Sequence, residues 1–134
     1  MLSISVDDVR LFVHVLAATV WVGGQVVLAV LVPTLRRLGP HAAASAARRL
    51  NPVAWGAFVL LIATGMWNLE AVHVFSQSPD YQRTVYLKLG VVAISGLAAF
   101  VHIRVSTPRA RAGWGALSLT TALMALFLGV VLAG

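Results

Sequence analysis

The sequence predicts an all-α integral membrane protein, a four-helix bundle with both termini on the outer (periplasmic or extracellular) side. Three observations carry this. Of the 134 residues, 60% are hydrophobic and only 10% charged, a mixture outside the range of ordinary water-soluble domains. Apolar runs recur with lengths near the roughly 20 residues that cross a hydrocarbon core as a helix. The charges are also sorted between alternate loops. Arg36, Arg37, Arg48, Arg49, Arg104, Arg109 and Arg111 fall on one side with no acid among them, whereas Asp7, Asp8, Arg10, Glu70, Asp80, Arg83 and Lys88 fall on the other. That asymmetry is the positive-inside pattern, and it places the two arginine-rich loops in the cytoplasm. The net charge of +6 therefore reflects membrane orientation, and nucleic acid is not an expected partner.

The chain reads as one transmembrane domain with spans at about 9–35, 51–74, 83–104 and 112–133. Asp7 and Asp8 precede the first span, where acids suit a helix N-terminus. The start MLSISVDDVR is acidic where a signal peptide would be basic, so the first helix is expected to be retained. Pro33 is expected to end or kink that span. The alanine-rich loop Leu38 to Pro52 predicts a short interfacial helix, with Asn51-Pro52 opening span two. Ser78-Pro79-Asp80 marks a break before span three, which is long enough only if Lys88 is admitted. The loop STPRARAG is short, which makes spans three and four antiparallel neighbours. Small residues at helical spacing supply packing faces: Ala17, Ala18, Gly24 and Gln25 in span one, and Ser118, Ala122, Ala125 and Gly129 in span four. No internal repeat is evident, and a homodimer is the expected oligomer. With no cysteine, disulfides and thiolate chemistry are excluded.

Ionisable residues at membrane depth are costly and mark sites. His14 lies about one turn inside the outer end of span one, and Lys88 a similar distance inside span three. Glu70 and His73 sit near the outer end of span two, and Met66, Glu70 and His73 at i, i+4 and i+7 share a helix face. His14 is either a neutral imidazole bonded to a neighbouring span, a ligand to copper or haem iron, or a proton carrier. Met66 is packing or a soft sulfur donor. Glu70 and Lys88 either neutralise one another or act separately, with Lys88 snorkelling or meeting an acidic group of a ligand. Glu70-x-x-His73 is half of a helical metal motif, or His73 is a solvated loop residue. Trp21 with Gly23 and Gly24 is packing or one wall of a flat pocket. His102 lies about 20 Å deeper along its helix and cannot share a coordination shell with His14. His41 is expected in the cytoplasmic loop.

FVHVLAATVWVGGQVVL in span one, LIATGMWN in span two and YLKLGVVAISGLAAF in span three resemble the membrane domain of the copper-resistance protein D (CopD) family. That family is similar in turn to the HemJ-type protoporphyrinogen oxidases. The resemblance covers about two thirds of the chain. It implies a bacterial inner-membrane protein of copper transport or homeostasis. On that reading the metal site is built from His14, Met66, Glu70 and His73, with Lys88 setting its charge. The HemJ side implies instead a haem b-binding redox protein in which His14 and Lys88 match the family's functional histidine and lysine, with Met66 or a second protomer's histidine opposite. An accessory subunit of a larger membrane complex, with no site of its own, is the third class.

Overall fold

The computed structural model describes residues 1–134 and is all-α: helices α1 (Val6–Leu38), α2 (Ala42–Ala71), α3 (Pro79–Arg104) and α4 (Pro108–Ala133), with one 3₁₀ turn at Val74–Ser76. All four are long and apolar enough to cross a membrane, so the chain is a multi-pass membrane protein. At 1.5 Å per residue the 33-residue α1 reaches about 50 Å, beyond the roughly 30 Å hydrocarbon core.

Each helix start has a local cause. Ser5 caps α1 by a capping box: its hydroxyl accepts from the Asp8 backbone N–H at 3.2 Å while the Asp8 carboxylate accepts from the Ser5 N–H at 2.8 Å. Asp7 and Asp8 in the first turn and Arg36 and Arg37 in the last match the helix dipole. Ser78 and Thr107 cap α3 and α4, accepting from Tyr81 N–H and Ala110 N–H, each with proline in the first turn where no N–H is needed.

One expectation about α1 is narrowed and one about α2 is corrected. Pro33 does not end α1, which continues to Leu38. No separate interfacial helix precedes span two, because α2 runs unbroken from Ala42 through Pro52. Each proline costs one helical hydrogen bond. For Pro52 that loss is offset by alanine-rich helix propensity before it and by docking of Leu50, whose side chain fills the space above Gly24 of α1. The first interhelical connection is thus only Gly39, Pro40 and His41.

The chain forms two compact units, Met1–Val72 and His73–Gly134, each an antiparallel hairpin. In the first, α1 and α2 meet around Trp21, which lies 4.6 Å from Phe58 and 5.3 Å from Trp55 between ring centroids. Ala17 and Ala57 are buried nearby. In the second, α3 and α4 approach closely at Ser95 and Ser118, each 1% exposed. Ser95 Oγ donates to the Ser118 carbonyl and Ser118 Oγ donates to the Ser95 carbonyl, both at 2.9 Å. Such bonds and small-residue contacts hold helices together in lipid, where apolar burial gives no drive. Ala98, Ala122 and Ala125 extend this contact. Large apolar side chains such as Phe12, Val30, Val59, Leu97 and Phe127 remain exposed, as lipid-facing positions require.

Candidate functional site

The first hairpin carries its polar groups in two steps near the start of α1. His14 Nδ1 lies 2.7 Å from Thr64 Oγ1 of α2. The Thr64 hydroxyl bonds back to the Leu60 carbonyl at 2.6 Å, and a hydroxyl has one hydrogen to give. Thr64 is thus placed to accept from His14 Nδ1–H while its own hydrogen goes to the Leu60 carbonyl. Next to Thr64, Gly65 lies under the imidazole: a methyl there would stand 3.8 Å from His14 Cε1, in ordinary contact.

One turn earlier on α1, Arg10 is only 7% exposed. Its guanidinium donates to Asp7 at 2.7 Å and lies over the Trp67 ring, 5.9 Å from the centroid. Asn68, one turn past Thr64, buries its side-chain oxygen without a protein partner, as Arg10 does its Nε. Arg10 and His14 thus form successive polar steps on α1, opposite Trp67-Asn68 and Thr64-Gly65 on α2. Sequence reasoning missed Thr64, Arg10 and Asn68. The i, i+4 spacing of Arg10 with His14 and of Thr64 with Asn68 was the available signal.

The other sequence-derived candidates of the first hairpin, Met66 and Glu70, do not face His14 across α1 and α2. Met66 is 66% exposed, two residues beyond Thr64 and so about 200° around the helix from it. Glu70 is exposed, one residue before the end of α2. His73 is not on the α2 face at all: the helix ends at Ala71, and His73 turns the chain in the left-handed conformation at φ 48°. No three histidine, aspartate or glutamate side chains come together in a way that could hold a metal ion. The expected metal set of His14, Met66, Glu70 and His73 is therefore not assembled.

Lys88 belongs to the second hairpin, and Glu70 to the first. Within its own hairpin Lys88 has no ion-pair partner; the only acid there, Asp80, pairs with exposed Arg83 at 3.3 Å. The ammonium sits against Gly129 of α4, where an added methyl would come within 3.0 Å of Nζ. His102 is structural: its Nδ1 lies 2.6 Å from the Arg111 carbonyl, bridging α3 to the first turn of α4, and the ring packs on Gly115. Trp21 is likewise core. Nothing matches this chain among family models, curated proteins or solved structures, so the functional reading rests on these two hairpins.

Proposed function

We propose that the chain is a small haem b-binding membrane protein whose axial ligand is His14. The observation that carries this is the His14–Thr64 bond. Ligating histidines donate their other ring N–H to a fixed acceptor, which sets the tautomer and orients the ring. Here that acceptor is Thr64, and Nε2 is the ligating atom. A single oriented imidazole suits an iron whose porphyrin supplies its other nitrogens. A bare copper ion needs several protein donors, and His14, Glu70 and His73 form no such group. Copper is accordingly the weaker reading.

The residues fit the group by donor chemistry: His14 would ligate it, and Thr64 would hold the imidazole in place. When bound, the haem would supply one-electron redox chemistry, tuned by its axial ligand and the surrounding hydrogen bonds. Lys88, without a carboxylate in its own hairpin, is suited to an acidic group of a ligand. The resemblance to HemJ-type proteins, whose functional histidine and lysine match His14 and Lys88, agrees with this reading, whereas the resemblance to CopD proteins implies copper; it suggests a bacterial inner-membrane location.

The test is an absorption spectrum with elemental analysis of protein purified in mild detergent. A Soret band with stoichiometric iron, lost in His14→Ala, is expected. A colourless protein carrying stoichiometric copper would replace this reading with the copper one. A metal-free protein in which His14→Ala alters only stability would reduce His14 to a packing residue.

A further inference from the structure

The α3–α4 turn carries charge that the proposed function does not use. Arg104 lies over Phe100, 4.9 Å from the ring centroid, and the Arg111 guanidinium donates to the Val105 carbonyl at 3.2 Å. Arg109 is exposed between them in sequence, with no ion-pair partner. The only acid of this hairpin, Asp80, begins the same helix that Arg104 ends, 24 residues away, or about 36 Å by helical rise. That is several Debye lengths at physiological salt, so three positive charges stand unneutralised.

Beside them α4 carries a shallow apolar groove of ≈ 270 Å³ lined by Ala110, Gly113, Trp114 and Leu117. Gly113 faces open space, with nothing within 4 Å of where its side chain would be. Trp114 is 38% exposed, and tryptophan favours the headgroup level of a bilayer. Arg109 and Arg111 thus flank Ala110 of this shallow groove in the first turn of α4. That combination matches one amphipathic partner, a lipid with an anionic head and hydrocarbon tails. A free phosphate would leave the groove unused, and a zwitterionic lipid would bring its own cation among the arginines.

We propose that the α3–α4 turn binds an anionic phospholipid, its phosphate held by Arg104 and Arg109 and an acyl chain lying in the Trp114 groove. Arg111, tied to Val105, holds the turn in shape. The site is independent of the haem reading and stands or falls separately.

Native mass spectrometry of the intact protein, titrated with phosphatidylglycerol and with phosphatidylcholine, tests it. The wild type should prefer phosphatidylglycerol. Arg104→Gln and Arg109→Gln should each weaken phosphatidylglycerol binding about fivefold, the effect of one basic residue near a membrane surface, and weaken phosphatidylcholine less, because its choline cation already offsets its phosphate. Arg109→Lys should retain the preference, which separates lost charge from misfolding. Trp114→Ala should weaken both lipids. Arg83→Gln, at the opposite end of α3, should change neither. Equal binding of the two lipids by the wild type would overturn the proposal. So would an Arg83→Gln loss as large as that of Arg109→Gln.

Discussion

His14 and Thr64 meet at 2.7 Å between α1 and α2, and the threonine's own bond to the Leu60 carbonyl decides which of them donates. A hydroxyl that bonds back to its own helix satisfies the backbone and still offers an acceptor to the neighbouring span. An imidazole placed this way has a fixed orientation.

On the haem reading proposed above, that orientation is separable from ligation. Thr64→Val keeps the shape but removes the acceptor, so haem affinity should fall by about 10- to 100-fold, the usual cost of losing an outer hydrogen-bond partner. His14→Ala should abolish binding. Titration of haem into the apo-protein, followed at the Soret band, distinguishes the two; equal loss in both variants would mean that Thr64 only supports the fold.

The Ser95–Ser118 pair predicts near-additive energetics. Each hydroxyl bonds the other residue's carbonyl, so Ser95→Ala leaves the Ser118 bond in place. Each alanine substitution should cost about 0.6 kcal/mol and at most about 1.7. A double-mutant cycle measured by reversible unfolding in detergent should give little coupling. Ser95→Leu should do much more, by forcing α3 and α4 apart.

Gly115 and Gly129 both sit under polar side chains of α3 but should differ in tolerance. A methyl at Gly115 would stand 2.9 Å from His102 Nδ1, a ring atom already bonded to the Arg111 carbonyl. A methyl at Gly129 would press only the flexible end of Lys88. Gly115→Ala should therefore lower the detergent melting temperature, while Gly129→Ala should be close to neutral because alanine also favours the helix. Parallel thermal melts compare them directly.

Acid should loosen the first turn of α1. The Ser5 hydroxyl and backbone N–H hold the Asp8 carboxyl below its ordinary value. A depressed carboxylate stabilises the folded state fully above its unfolded pKa, and that contribution is lost as pH falls through the folded pKa. Amide exchange at the start of α1 should stay slow from neutral pH down to the usual carboxylate range, once the intrinsic pH dependence is removed, and rise below it. Asp8→Asn should remove this pH dependence.

The charge map predicts orientation, and the absence of native cysteine makes it measurable. Single cysteines at Ser3 and Ser76 should react with an impermeant maleimide on intact cells. Those at Ser45 and Ser106 should react only after permeabilisation. The opposite pattern would invert the assigned topology.

Composition, apolar runs and caps by themselves determined the four spans, because a bilayer admits few ways to satisfy a helical backbone and the runs are long enough to reveal them. They also picked out His14 and Lys88, since a titratable group in an apolar run is visible without a fold. What they left open is what each side chain faces. The shared face of Met66, Glu70 and His73 held only while a helix was assumed through residue 73, and the left-handed turn at His73 removes it. Pro52 read as a boundary because its local cost is legible, whereas the docking of Leu50 on Gly24 that carries α2 past it is not. Thr64 as the partner of His14, Arg10 buried under Trp67, and the exchange between Ser95 and Ser118 belong to the tertiary structure alone. Each depends on the rotation of one helix about its axis against another, and residue spacing along a single chain does not fix that angle.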